Sequence, residues 1–456
     1  MEEVCIQLTN QNRIKKSIFT PPRVLVSGFA GVILLGALLL TLPLATVDGE
    51  GLNFLDAVFT STSAVCVTGL VVVDTGSTFT RFGQLVILTL IQIGGLGFMT
   101  FATFFAILLG KKISLKERLL LQEALHQVSL EGIVRLAKYV IAISFIIEGL
   151  GALILTLAWS SDLGWGKALY YGIFHSISAF NNAGFDLFGT SLTTYVDDWI
   201  VNLTVMALII TGGLGFAVLA DFYSHRHLRR FSLHSRIVVQ TSAILIVIGA
   251  IVIFALEFSN PQTLGNLALT DKGLAALFQA VTPRTAGFNT IGIPELRDST
   301  ILFLLILMFI GASPGSTGGG VKTTTFVAVV LLVVNILKGK NTVVVKERTL
   351  SSDIIQKAVA IMASAMLWIF MVTFLLTITE EADFLTILFE VTSAFGTVGL
   401  TMGLTPHLSG AGKLAIILTM FIGRVGLITL VFALAQKNKK TQATTIKYPE
   451  EHLIIG

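Results

Sequence analysis

Apolar positions gather into eight long blocks, near residues 24–45, 81–109, 133–159, 198–222, 235–258, 299–337, 354–379 and 411–435, with polar segments between them. A helix crosses a bilayer core with about 20 predominantly apolar residues, so each block predicts one membrane span. Between the first and second block of each pair lies a shorter, semi-apolar stretch that cannot cross and that ends in glycine. The pattern predicts an all-α polytopic membrane protein: four helix–pore loop–helix units, with eight spans and four re-entrant loops.

The four short stretches repeat one another. They run Phe59 to Gly69, Phe174 to Gly184, Phe278 to Gly287 and Phe389 to Gly399. Each has Ser or Thr four residues after the Phe (Ser63, Ser178, Thr282, Ser393), and the glycine follows the Phe by ten residues, or nine in the third copy. The second helices repeat too, with a glycine at Gly94, Gly212, Gly311 and Gly423 that follows the loop glycine by 25, 28, 24 and 24 residues. Internal repetition at a fixed order is the signature of a fold built from copied units. Units of two spans re-enter the membrane in the same orientation, so their axis lies along the membrane normal. Four re-entrant loops then converge on one pseudo-four-fold pore, where irregular backbone at membrane depth lines a watery path.

Composition agrees with a bilayer as solvent: of 456 residues 54% are hydrophobic and 13% charged, and mean hydropathy is +0.85, against about 25% charged in a soluble chain. Most of the 31 basic residues fall in the N-terminal segment, the tail, and the loops Lys111–Lys138, Arg226–Arg236 and Lys338–Lys357. By the positive-inside rule these segments and both termini are cytoplasmic, the signature of topology rather than of nucleic-acid binding. The division expected is 1–23 cytoplasmic segment, 24–110 first repeat, 111–230 second, 231–345 third, 346–436 fourth, and 437–456 cytoplasmic tail. No cleavable signal peptide is expected, because the first twenty residues are polar. Cys5 and Cys66 suggest no disulfide framework.

An extended strand containing glycine, following a re-entrant helix, turns backbone carbonyls toward the axis, and rings of such carbonyls replace the hydration shell of a monovalent cation. The expected ion-binding residues are Val67, Thr68 and Gly69; Asn182, Ala183 and Gly184; Thr285, Ala286 and Gly287; and Thr397, Val398 and Gly399. None is Asp or Glu, which argues against a carboxylate ring of the calcium type. Arg284 repels cations if it faces the axis, so it is expected to point into the protein. The repeated hydroxyls bond either within the loops or back to their own helical turn.

The third repeat's second span contains Gly311, Ala312, Ser313, Pro314, Gly315, Ser316, Thr317, Gly318, Gly319 and Gly320, then Val321 and Lys322. Glycine costs about 1 kcal/mol and proline about 3 kcal/mol in a helix interior, so this span breaks, and the reading confines the break to this repeat. The insert 311–322 lies just cytoplasmic of the loops and is the candidate gate. Arg424 sits at the equivalent depth in the fourth repeat, where a charge costs about 2.5–3.5 kcal/mol on insertion scales. Arg424 is expected to donate hydrogen bonds to the insert's carbonyls and hold it across the pore, with Lys322 doing the same from within. Glu148 and Glu257 are further charges at depth. Glu148 fits a proton or sodium relay less well than a structural hydrogen-bond role.

These features together closely resemble the Trk/Ktr/HKT superfamily of potassium transporters, most of all the membrane subunits of bacterial Ktr systems. The resemblance runs from about residue 21 to the C-terminus. It implies plasma-membrane potassium uptake through a channel-like pathway, K+ at the loop carbonyls, Na+ as activator, and the insert as gate. It also implies a homodimer seated on a cytosolic, nucleotide-binding regulatory ring of the KtrA type. Within the superfamily a serine at the first loop glycine goes with sodium transport, and this chain has Gly69. Independently, no cytoplasmic loop is long enough to bury a core, so nucleotide sensing belongs to another chain, with Lys338–Lys357 and the tail after Gln436 as docking surfaces. Two other classes fit the sequence less well. An ion-coupled carrier for a solute needs ionisable groups at the midplane, where only Glu148 offers one. An enzyme needs a nucleophile–base pair or metal cluster, which His175 and Asp186 do not make.

Overall fold

The computed structural model describes residues 21–97, 99–101, 103, 107, 113–124, 132–224, 230–340, 342–345, 348–427 and 429–431. The segment 1–20, the tail 437–456 and parts of the three basic loops lie outside them. The helices, in order, are α1 (Pro21–Leu40), α2 (Phe54–Cys66), α3 (Arg81–Leu96), α4 (Leu115–Ala124), α5 (Ile133–Leu163), α6 (Trp165–Phe180), α7 (Trp199–Leu214) and α8 (Phe216–Ser224). There follow α9 (Leu233–Glu257), α10 (Leu269–Val281), α11 (Asp298–Ile310), α12 (Thr323–Leu337), α13 (Ser352–Thr379), α14 (Phe384–Gly396) and α15 (Gly410–Val425). A short antiparallel pair, Val344–Val345 with Arg348–Thr349, lies in the basic loop between α12 and α13.

Each repeat is one long helix, one short re-entrant helix and one broken helix. The long helices α1, α5, α9 and α13 are apolar enough to cross unaided, and between 22% and 39% of the best window in each is buried. A helix that is apolar all round yet mostly uncovered faces lipid, so these four form the outer wall. The short helices α2, α6, α10 and α14 form the inner ring. The phenylalanines that open the repeated motif, Phe59, Phe174, Phe278 and Phe389, are completely buried at its heart.

Contacts between repeats run in one direction around the axis. The second helix of each unit packs on the short helix of the next: α3 on α6, α7 on α10, α11 on α14, and α15 back on α2. That closes the ring between the first and last repeats and makes the pseudo-four-fold pore. The second helices begin at side-chain caps: Thr80 accepts from Gly83 N, Asp198 from Ile200 N and Val201 N, and Ser409 from Gly412 N. In the third repeat Arg297 does not cap its helix, and the carboxylate of Glu257 does so from α9, accepting from Arg297 N at 3.0 Å and from the Thr300 hydroxyl. Either device satisfies amides that a helix start leaves orphaned.

The expectation of a single broken helix is corrected. All four second helices stop at a positive-φ glycine: Gly97 (φ 80°), Gly215 (φ 98°), Gly311 (φ 59°) and Gly426 (φ 89°). After Gly215 the chain turns by 100° into α8. After Gly97 and Gly426 helical bonds resume, from Phe101 N to Gly97 O and from Leu430 N to Gly426 O. The insert in the third repeat enlarges a break that every repeat has. Gly311 therefore marks the break and is not the counterpart of Gly94, Gly212 and Gly423. Those three serve close packing: a Cβ on each would strike the carbonyl oxygen of Val65, Phe180 or Phe395 at the end of its own short helix.

Candidate functional site

The four loops leave their short helices in the same way. In the first, Thr68 N donates to Ser63 O at 2.8 Å and Gly69 N donates to the Ser63 hydroxyl at 3.1 Å; the fourth repeats this with Val398 N to Ser393 O and Gly399 N to Ser393 Oγ, at the same distances. In the second and third the hydroxyl turns to donate beyond the glycine, Ser178 to Phe185 O at 2.7 Å and Thr282 to Phe288 O. Of the two readings of these hydroxyls, bonding within the loop is the one the structure takes.

Two residues before each glycine the backbone is also left-handed, although none of the four residues is glycine: Val67 (φ 59°), Asn182 (φ 59°), Thr285 (φ 73°) and Thr397 (φ 51°). The loop glycines follow at φ 92°, 70°, 77° and 91° for Gly69, Gly184, Gly287 and Gly399. Between them stand Thr68, Ala183, Ala286 and Val398 with ordinary φ, all buried. Alternating the two hands along a strand turns successive carbonyls the same way, which an ordinary strand cannot do.

The loop glycines meet around the axis. A Cβ on Gly69 would lie 2.6 Å from Ala183 O and 3.0 Å from Gly184 Cα; one on Gly184 would lie 3.0 Å from both Ala286 O and Gly287 Cα. One on Gly287 would lie 2.7 Å from Val398 O, and one on Gly399 would strike Thr68 O and approach Gly69 Cα at 3.0 Å. The order is cyclic, each glycine against the residue preceding the next repeat's glycine. Any side chain there would displace a carbonyl.

The insert of the third repeat lies directly against this ring. Gly319 N donates to the Thr397 hydroxyl at 2.9 Å, and the Thr317 hydroxyl donates to Asn182 Oδ1 at 3.1 Å. A Cβ on Gly318 would strike the Thr285 hydroxyl. Its amides bond to α7, from Ser313 N to Gly213 O at 3.1 Å and from Thr317 N to Gly212 O at 3.3 Å, while Phe216 N returns a bond to Gly315 O at 2.8 Å. Gly320 N reaches Gly423 O in α15 at 3.2 Å, and Ala312 N pairs with Gly319 O at 3.3 Å. Ser316 closes the tight turn at Pro314 by donating to Ser313 O at 2.6 Å.

Arg424 spans two repeats. One guanidinium nitrogen donates to Thr317 O in the insert, and the other to Gly94 O and, at 3.2 Å, to Gly95 O at the end of α3. Lys322 donates to Gly318 O at 2.7 Å. Both basic groups thus meet insert carbonyls, and the first repeat shares in holding Arg424, a contact the sequence does not signal. Arg284 turns away from the axis and lines a small cavity with Ile209, Ile210, Gly213, Ile246 and Val281.

Several buried polar groups stand behind the ring. Glu148 accepts from Gln92 through both carboxylate oxygens at 3.0 Å, and from Asn181 at 3.1 Å; Asn181 also donates to Gln92 Oε1 at 2.8 Å. Glu148 is therefore a hydrogen-bonded strut between the first two repeats. The position just after each motif phenylalanine is polar and buried in every copy: Thr60, His175, Gln279 and Glu390. In the second, Leu187 N donates to His175 Nε2 at 3.3 Å; in the fourth, Thr401 and Thr405 donate to Glu390. His175 and Glu390 thus brace the segment beyond the glycine. Their signal in the sequence is a polar residue directly after the phenylalanine in all four copies. No cluster of His, Cys, Asp or Glu able to hold a metal occurs among the described residues.

Known proteins agree with this architecture. A solved structure of the potassium transporter TrkH from Vibrio parahaemolyticus superposes with a TM-score of 0.74 at 21% identity, covering 93% of this chain and 86% of that one, which shows a shared fold. The chain is 50% identical over 443 residues to Ktr system potassium uptake protein B of Bacillus subtilis, covering 97% of this chain and 98% of the relative. It is 39% identical over 450 residues to the potassium/sodium uptake protein NtpJ of Enterococcus hirae, covering 98% and 99%. These relatives are named as uptake proteins and not as enzymes. A family model, TrkH, cation transport protein, matches residues 27–443. The chain belongs to the TrkH family of cation transport proteins.

Proposed function

We propose that the chain takes up potassium across the plasma membrane, passing K+ along the axis and coordinating it with the carbonyls of the four loops. The observation that carries this reading is the cyclic ring of positive-φ glycines, each preceded by two residues that set alternating backbone handedness. Carbonyl oxygens without a carboxylate ring suit a weakly hydrated monovalent cation. Potassium is named in both relatives, together with sodium in one of them. Residues 311–322 act as the gate, drawn across the path by Arg424 and Lys322. In this reading, both termini are cytoplasmic, Na+ activates transport, and two copies pair on a KtrA-type nucleotide-binding ring through the cytoplasmic loops.

The test is cation flux into liposomes from purified protein. Wild type is expected to favour K+ over Na+. Gly69→Ser, whose new Cβ meets Ala183 O, lowers that preference toward unity, and deletion of 311–320 raises flux. Equal K+ and Na+ flux in wild type, or flux that requires an added solute, refutes the reading.

A further inference from the structure

Six basic side chains lie in the connections on the face opposite the basic loops: Arg81, Lys167, Lys272, Arg284, Arg297 and Lys413. Four have their place within the protein. Lys413 pairs with Asp56 at 2.6 Å, Lys272 donates to Phe258 O and Gly265 O, and Arg297 donates to the Ser259 hydroxyl at 3.0 Å. Arg284 is buried against α7 and α9. The remaining two, Arg81 and Lys167, share one cavity.

That cavity, of about 560 Å³, is lined by Phe79, Arg81, Gln84, Lys167, Tyr170 and Tyr171 along with Gly166, and no carboxylate borders it. Arg81 opens α3 and Lys167 lies in the first turn of α6, so two helix N-termini bring partial positive charge to the same place. Neither cation has a carboxylate partner among the described residues; each rests on a ring instead, Arg81 5.9 Å from Tyr170 and Lys167 5.0 Å from Tyr171. The wall is fixed in advance. The Tyr170 hydroxyl donates to Gln84 Oε1 at 2.8 Å, Gln84 donates to Phe79 O at 3.0 Å, and the Tyr171 hydroxyl donates to Leu187 O at 3.3 Å.

We propose that this cavity between the first and second repeats binds the phosphate of an anionic phospholipid in the outer leaflet. Guanidinium and ammonium groups at helix N-termini are the chemistry that recognises phosphate. A lipid is favoured over a free anion because apolar side chains lead away from the pocket along both helices. Phe82 and Leu85 follow Arg81 on α3, and Leu169 and Ile173 follow Lys167 on α6, all exposed, with Trp165 exposed at the rim. An exposed apolar track below a cationic pocket takes acyl chains; tryptophan anchors at this level of a membrane. The inference rests on the outward placement of this face and not on which ion is carried.

The experiment is native mass spectrometry of the full chain with phosphatidylglycerol or phosphatidylcholine, so flux plays no part in the readout. Wild type is expected to retain phosphatidylglycerol in preference to phosphatidylcholine. Arg81→Gln/Lys167→Gln loses about 30-fold in affinity for it, the equivalent of about 1 kcal/mol per basic side chain at an anionic surface. Arg81→Lys/Lys167→Arg keeps the lipid and shows that the pocket tolerates substitution. Equal retention by wild type and the glutamine variant overturns the proposal. So does displacement of phosphatidylglycerol by inorganic phosphate at matched concentration, which assigns the pocket to a free anion.

Discussion

Val67, Thr285 and Thr397 are β-branched and yet hold positive φ, a conformation that costs of order 1–3 kcal/mol at a residue other than glycine. The repeated bonds from the next amide to Ser63 O, Thr282 O and Ser393 O over-determine it. At this scale the sequence exposed the loop glycines, because their type repeats four times. It placed Val67, Asn182, Thr285 and Thr397 in the loops but could not expose their left-handed backbone, because Val, Asn, Thr and Thr share a backbone angle and no side-chain property. Arg424 was legible for another reason: a lone charge at membrane depth needs a partner. Its second partner, the end of α3, lies in the most distant repeat and left no trace in the sequence. Arg424→Ala removes donors from Thr317 O and Gly94 O together. An unsatisfied buried group costs about 1–3 kcal/mol, so amide hydrogen exchange within 311–322 is expected to accelerate about tenfold or more. Exchange at the wild-type rate would mean that the bonds to α7 hold the insert without Arg424.

Among the elements, the second helices hold the main difference between the sequence and the fold. Each apolar block was long enough for one straight helix, and apolar periodicity does not register a single change of φ. Pro314 and its glycines announced one break; Gly97, Gly215 and Gly426 made the others with one residue each. These glycines separate two costs. A Cβ on Gly97 meets only Thr100 Oγ1, at 4.0 Å, so Gly97→Ala pays for backbone conformation alone. A Cβ on Gly215 would also sit 2.7 Å from Pro314 O, in the insert. Gly97→Ala is expected to destabilise by about 1–3 kcal/mol, and Gly215→Ala by more, read as the shift in thermal unfolding of the purified protein. The reverse order would show that the insert yields freely and that the turn into α8 does not depend on it.

For the whole molecule, four parallel units around one axis were legible from the order of the blocks and the repeated motifs, since covalent order and re-entry direction determine the symmetry. Which unit packs on which was not, because every repeat offers a similar face and only the closed ring selects the direction. Closure brings α15 against α2, elements more than three hundred residues apart, and there the chain places an ion pair, Lys413 to Asp56 at 2.6 Å, with side-chain exposures of 16% and 13%. Asn53, the N-cap of α2, donates to the same carboxylate at 2.6 Å. A pair this shielded, joining the first and last repeats, resists opening of the ring more than an exposed pair would. Asp56→Asn and Lys413→Met are each expected to lower the unfolding temperature, since a hydrogen bond to a charged group is worth about 1.5–3 kcal/mol. The double variant is expected to lose less than the sum of the two, with a coupling of about 0.5–3 kcal/mol, as contacting residues show. Strict additivity would mean that apolar packing of α15 on α2 closes the ring unaided. Coupling together with unchanged ion selectivity would place the pair in ring closure and leave the loops to choose the ion.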